Sequence, residues 1–308
     1  MITHDHTYSS LVTLSERACW KLDEIFPDNT VLDLSRPFLP EKYMRAAGVP
    51  GLSAQELLRF NQISGNGYCH LFDVTEEFVV INSLAEATQR LHGDRSSARA
   101  WLRFSDEECK HQQLFRRFQK AFARQLSISP TMFPGHAAVA AAVLQNSPIA
   151  VILITLYLEV STRLHYTDAI RDDQELEPVF VRMLKAHWQE ESHHVKVDVL
   201  ALADLLEKAS PEEQDQSIEQ FFGVLGALDT MVISAQAQMD LQTLERTIGR
   251  PLTETQKTTL LELRPLRYVF IELALQNPVL LSRLEEIKPG LSQRAIAFAT
   301  SAPPPVAA

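Results

Sequence analysis

The sequence predicts an all-α protein, a four-helix bundle with additional flanking helices, on three observations. Apolar residues recur at helical rather than strand spacing through most of the 308 residues. Two short motifs, Glu108-Cys109-Lys110-His111 and Glu191-Ser192-His193-His194, each set a carboxylate and an imidazole three positions apart, on one face of a helix. Each follows a lone glutamate in an apolar helical stretch, Glu77 31 positions before Glu108 and Glu159 32 positions before Glu191. Such a gap holds a helix of about 20 residues and a turn, at about 1.5 Å of rise per residue.

The elements follow in order. An early helix is expected over residues 11–26, then a loop bounded by Pro37 and Pro40. Four bundle helices are expected near residues 68–91, 96–125, 137–166 and 175–208, the third with a kink at Pro148. A long fifth helix should start at Pro211, with Ser210 as its cap and proline at the favoured first position. Shorter segments after Pro251 and Arg264 are expected to pack outside the bundle. The proline- and alanine-rich tail, residues 301–308, suits neither helix nor ladder and reads as disordered. A motif set this long cannot be divided without destroying the site it builds, so residues 1–300 read as a single domain with its bundle core at about residues 65–248.

Composition narrows the function. The formal net charge is −10, with no basic stripe, which argues against a nucleic-acid partner. Cys19, Cys69 and Cys109 are odd in number and form no Cys-x-x-Cys pair, so they read as reduced thiols. The amino terminus shows no charged segment followed by an apolar core, and a cytoplasmic chain is expected. Residues 137–158 are nearly all apolar, but Asn146, Ser147 and Pro148 interrupt them and Glu159 closes them. They read as a buried bundle helix, not a membrane span.

The order glutamate, Glu-x-x-His, glutamate, Glu-x-x-His is the ligand set of a carboxylate-bridged di-metal site inside a four-helix bundle. On the helical wheel of residues 68–91, Thr75, Asn82, Glu86 and Gln89 mark a solvated side. His70, Asp73, Glu77, Val80, Leu84 and Leu91 lie opposite, which favours Glu77 as the ligand and leaves Glu76, on the flank, as the alternative. Glu159 ends the run from Ile149 to Leu158, where an ionised carboxylate needs a metal or a cation, and Arg163 one turn on is the competing partner. His187, Glu191 and His194 fall at i, i+4 and i+7, so a third imidazole is able to reach the site. His193 is turned by about 100° and reads as a neighbour of the site or a surface residue. His70 and His165 read as hydrogen-bonded packing histidines. Carboxylates with imidazoles suit iron or manganese.

The string His187-x-x-Glu190-Glu191-x-x-His194, together with Asp106-Glu107-Glu108-x-x-His111, resembles the p-aminobenzoate N-oxygenase family of ferritin-like di-iron enzymes. The resemblance implies a ferritin-like bundle holding two iron ions on Glu77, Glu108, His111, Glu159, His187, Glu191 and His194. It also implies a non-haem monooxygenase that uses dioxygen to oxidise the nitrogen of an arylamine or amino-acid-derived substrate. An external electron donor, a reductase or ferredoxin, would serve it, and a homodimer is compatible. A carbon hydroxylase is the alternative with similar ligands, and a ferroxidase or iron-storage protein the third reading. Helix faces suggest Val80, Phe104, Ile152, Thr155 and Phe180 as pocket lining, with Arg163 as the group that would receive a carboxylate substrate.

Overall fold

Residues 6–47 and 49–301 are described by the computed structural model, and among them every regular element is helical. The chain opens with α1 (Tyr8–Ala18) and two one-turn helices, α2 (Leu22–Ile25) and α3 (Glu41–Met44). The long α4 (Ala54–Arg90) and α5 (Arg95–Leu126) follow, then α6 (His136–Leu144), α7 (Pro148–His165) and α8 (Pro178–Lys208). α9 (Pro211–Ala227) runs through a π-helical segment, Leu228–Ile233, into α10 (Ser234–Ile248). α11 (Glu254–Leu263), α12 (Pro265–Arg267), α13 (Pro278–Ile287) and α14 (Leu291–Thr300) complete the described chain. The expected tail at 302–308 lies outside the described residues.

The bundle is built from two pairs, α4 with α5 and α7 with α8, joined where α5 meets α8. α6 and α10 cover α4, α9 covers α7, and α1 lies across α5 and α8. Local chemistry fixes the starts of these helices. Ser53 and Glu56 form a reciprocal capping box at α4, Asp94 caps α5, and Ser210 with Glu213 caps α9 ahead of Pro211. Glu177 caps α8 while also accepting a hydrogen bond from the backbone of Asp33 at 3.1 Å, which ties the helix start to the early loop.

Three expectations are corrected. The stretch 137–166 is two helices with a break between them. Ser147 accepts from the backbone N–H of Ala150 at 3.2 Å and Pro148 takes the first position, so the hydroxyl and the proline together start a new helix instead of kinking an old one. The early helix is likewise split, ending at Ala18 so that Trp20 turns inward. α4 begins at Ala54, well before Tyr68, although Asn61, Ser64, Gly65, Asn66 and Gly67 are poor helix formers. Tertiary contacts override the propensity. The Asn61 carboxamide oxygen accepts from the backbone of Phe38 and Leu39, and its amide donates to Leu39 O. The Gln62 amide donates to the carbonyls of Leu34 and Arg36. The polar residues of this turn therefore clamp the proline-bounded loop, whose Phe38 then stacks on Phe180 and meets Phe118 and Phe122 edge-on.

Among the described residues, two helices are long and apolar enough to cross a membrane, Pro148–Ile170 and Pro211–Ile248. The first is 89% buried inside the protein, so its apolar character is already used by the core.

Gly65 marks the tightest approach of α4 to that loop, since a Cβ there would sit 2.6 Å from the Cβ of Phe38. Neither atom is at the end of a flexible chain. Gly65→Ala is therefore expected to lose about 1–2 kcal/mol net, overpacking exceeding the roughly 1 kcal/mol gained in helix propensity. Urea unfolding should show a lower midpoint with an unchanged slope.

Candidate metal centre

Four helices each deliver donors to one level of the bundle. α4 supplies Glu76, α5 supplies Glu108 and His111, α7 supplies Glu159, and α8 supplies His187, Glu191 and His194. Their donor atoms fall into two sets, Glu76, His111, His187 and Glu191 on one side, and Glu108, Glu159, Glu191 and His194 on the other. Within each set the atoms lie within 4.8 Å of one another. Glu191 belongs to both. Its Oε1 is 2.6 Å from His187 Nε2 and 3.1 Å from His111 Nδ1, while its Oε2 is 3.1 Å from His194 Nδ1. Glu108 Oε1 also reaches across, 2.9 Å from His194 Nδ1 and 3.4 Å from His111 Nδ1. The geometry is that of two adjacent cation sites sharing one carboxylate, the first richer in nitrogen and the second richer in oxygen.

The electrostatics agree. All seven side chains are buried, and among the described residues no Lys or Arg pairs with the four inner carboxylates. Burial and the neighbouring Glu108 raise the Glu76 carboxyl well above its usual range. Burial would depress His111 and His194, but the charge of Glu108 beside His111 and of Glu191 beside His194 raises both imidazoles well above the ordinary value. Glu191 is the converse: burial would raise it, and His194 and His111 bring it down to about 2. His187 is driven well below the ordinary value by burial and by His111 and His194. Both oxygens of Glu76, Oε1 of Glu108, Nδ1 of His111 and both ring nitrogens of His187 make no hydrogen bond. Orphaned, buried donors that face one another fit divalent cations, and the residues present therefore suit a pair of metal ions.

Outside the donor sets the two motifs hold each other's histidines. Glu190, beside Glu191, accepts from His111 Nε2 at 2.9 Å, and Glu107, beside Glu108, accepts from His194 Nε2 at 3.0 Å. Glu107 also takes His193 Nε2 at 2.8 Å and the Ser15 hydroxyl, and Glu190 takes Lys110. Burial would raise the Glu107 carboxyl, yet the hydrogen bonds from His193 and His194 hold it well below the usual carboxylate range. Each crossed bond fixes Nε2 as the protonated nitrogen and turns Nδ1 inward as the donor. An aromatic shell closes the site: Phe104 stacks on His194 at 3.8 Å, Phe72 and Phe115 meet His187 edge-on at 5.2 and 4.9 Å, and Trp20 stacks on His111 at 6.0 Å.

The structure brings together six of the seven residues expected from sequence and replaces the seventh. Glu77 points away, its side chain 37% exposed, bonded to Gln112 Nε2 at 3.0 Å and near Arg116, while Glu76 enters the donor set. The reason is packing. The expected solvated residues Thr75 and Glu86 are buried, and the expected inward residues Leu84 and Leu91 are exposed, because α4 is covered by α6 and α10 as well as α5. Glu107 and Glu190 were missed as contributors, although the doubled acid in both Glu-Glu-x-x-His motifs is a legible signal. His193 is a buried partner of Glu107. His165 packs between Tyr68 OH at 3.0 Å and Val269 O at 3.2 Å, and His70 Nε2 bonds Phe133 O at 2.7 Å. Arg163 makes no ion pair with Glu159. Val80, Phe104, Ile152, Thr155 and Phe180 do not line the apolar cavity between α6 and α9 or the smaller one behind Leu228 and Val232.

With this geometry in place, comparison with known proteins is informative. The family model described as p-aminobenzoate N-oxygenase AurF matches residues 55–245, more than half of the chain and the span of all the donors. None of the curated proteins matches. Among solved structures, an R2-like ligand-binding oxidase with an Mn/Fe cofactor superposes with a TM-score of 0.51 at 15% identity, covering 85% of this chain and 92% of that one. A mutant of an R2-like ligand-binding oxidase with an Fe/Fe cofactor gives a TM-score of 0.51 at 16% identity, covering 85% and 93%. At that identity the likeness shows the fold alone, a ferritin-like bundle.

Glu76→Ala should lower the metal content of reconstituted protein while Glu77→Ala leaves it unchanged, read by elemental analysis. Equal loss in both variants would return the register to Glu77. Glu190→Ala should weaken metal affinity by about 10–100-fold, because His111 loses the acceptor that fixes its tautomer. Metal must displace protons from His111 and His194, both of which are held well above the ordinary imidazole value by the carboxylates beside them. Apparent affinity in a competition titration should therefore increase as the pH is raised.

Proposed function

The chain belongs to the p-aminobenzoate N-oxygenase family, and from that premise we propose that it is a di-iron monooxygenase that oxidises the nitrogen of an amine substrate. The observation that carries this reading is the pair of donor sets sharing Glu191 inside a dry, aromatic-walled level of the bundle. The residues of these two sets would hold a pair of redox-active metal ions, which when bound would supply electrons to dioxygen. The reaction balances as one oxygen atom inserted at nitrogen, giving a hydroxylamine, and the other released as water, with two protons and two electrons from an external donor, a reductase or ferredoxin. We place this chemistry in the cytoplasm.

The residues divide the work. Glu76, Glu159 and His187 hold the outer positions, Glu108 and Glu191 reach across both sets, and Glu107 and Glu190 keep His194 and His111 in one tautomer. Phe72, Phe104 and Phe115 exclude water from the histidine faces. Three carboxylates with one imidazole make the second set the harder one, so manganese there beside iron in the first is the alternative loading.

Elemental analysis after anaerobic loading is expected to give two irons per chain; one manganese and one iron would support the mixed centre, and one metal or none would sink the di-metal reading. The reduced protein, given isotopically labelled dioxygen and a panel of amines, should place label on nitrogen by mass spectrometry. Label on carbon alone would make it a hydroxylase, and iron mineral without labelled organic product would make it a ferroxidase.

A further inference from the structure

α4 carries a further set of donors that the centre does not use. His70 and Asp73 stand three positions apart, so both side chains leave one face of the helix, and His136, the first residue of α6, meets them there. Each of the three brings a donor atom within 4.8 Å of the other two, and none belongs to either donor set of the centre. His136 Nε2 is 3.1 Å from Asp73 Oδ2, and the two imidazoles meet edge to face with centroids 5.2 Å apart. His70 and Asp73 are buried, while the His136 side chain keeps 28% of its surface exposed.

Two observations mark these side chains as more than packing. His70 Nε2 is bonded to Phe133 O at 2.7 Å, and because a carbonyl only accepts, the ring proton sits on Nε2. The Nδ1 lone pair is then the free donor, and it is buried without a hydrogen-bond partner. A backbone carbonyl on one ring nitrogen and an unoccupied lone pair on the other is the arrangement that prepares a histidine to bind metal. The second observation is that Asp73 is able to release its partners. Arg116 Nε lies 2.8 Å from Asp73 Oδ1 without making a hydrogen bond to it, and its guanidinium is half exposed. The same guanidinium is 4.0 Å from Glu77, so Arg116 retains a carboxylate neighbour when Asp73 turns to a cation.

We propose that His70, Asp73 and His136 form a third metal site, which takes one divalent ion of the zinc class and lets water complete the coordination on the open side of His136. Two imidazoles and one carboxylate with a remaining open position are a donor set that zinc accepts. Binding shifts the His136 proton from Nε2 to Nδ1, and the ion takes its place beside Asp73 Oδ2. The ion thereby clips α6 to α4 at the first residue of α6, a helix whose N-cap, Gly135, makes no side-chain capping bond. The inference is independent of the amine-oxidising reading, because the two sites share no residue.

The test is to fill the centre of the full chain with iron anaerobically, add zinc chloride, remove the excess by gel filtration and count both metals by elemental analysis. Affinity is read by competition with a chromogenic zinc indicator. One zinc per chain is expected with the iron content unchanged. Loss of an outer partner weakens a metal site by about 10–100-fold, so His136→Ala, which removes a ligand, should weaken zinc binding by at least about 100-fold. Asp73→Asn, which keeps the side-chain shape, should do the same, whereas Arg116→Ala, which removes the competing cation, should bind zinc at least as tightly as the wild type. Zinc should raise the Tm of the wild type and leave that of His136→Ala unmoved. Equal zinc content in the wild type, His136→Ala and Asp73→Asn, or zinc gained only as iron is lost, would each overturn the proposal. The difference of one zinc between the wild type and His136→Ala is expected whichever metal fills the centre, so failure of the di-iron reading and failure of this site are told apart.

Discussion

Four carboxylates buried at one level of a helical bundle are the constraint on which the rest of this molecule depends. An ionised carboxylate removed from water is strongly destabilising unless it is paired or bound to metal, and Glu76, Glu108, Glu159 and Glu191 have no basic side chain other than histidine beside them. Three imidazoles interleave with them, of which His111 and His194, raised well above the ordinary value, partly offset the charge, whereas His187 is driven below it. What remains is a negative, unsatisfied cage that two divalent cations would neutralise. The crossed hydrogen bonds and the aromatic contacts around it hold that cage in shape.

The crossed hydrogen bonds are the clearest instance. A ligand histidine left free to rotate or change tautomer offers its metal two different donors. By giving each motif's extra glutamate to the histidine of the other motif, the fold locks α5 to α8 at the same height at which the ligands must meet. The lock is charge-assisted at its far side as well, through Lys110 on Glu190 and Arg103 and Ser15 on Glu107. His187 has no such outer partner: its Nδ1 is unbonded and its ring lies between the edges of Phe72 and Phe115, while Nε2 faces Glu191 at 2.6 Å and Glu76 at 3.2 Å.

The flanking helices have a different task. α6, α9 and the π-helical segment form a layer outside α4 and α7 in which small residues leave space that a bundle of four helices alone would not contain. Arg267 braces that layer from the carboxyl-terminal helices by bonding Asp229 and Glu272.

Much of this was legible in the sequence, and the residues themselves show why the remainder was not. The paired Glu-x-x-His motifs pointed to Glu108, His111, Glu191 and His194, the apolar run to Glu159, and the i, i+4, i+7 stripe to His187, and the structure gathers these six at one level, because spacing on a helix is fixed by backbone geometry whatever surrounds it. The choice between Glu76 and Glu77 was not legible, since adjacent positions differ by about 100° around the helix and only the neighbours decide which direction is inward. α4 is covered on several sides, so its own amphipathic pattern pointed the wrong way, burying Thr75 and Glu86 and exposing Leu84 and Leu91. The polar turn from Asn61 to Gly67 likewise reads as a breaker until the loop that it clamps is in place. The sequence by itself determined which residue types face a metal and at what spacing along each helix. The rotation of α4, the crossing of Glu107 and Glu190, and the cavity beside α9 were decided by tertiary structure, because each depends on how helices distant in the chain are turned against one another.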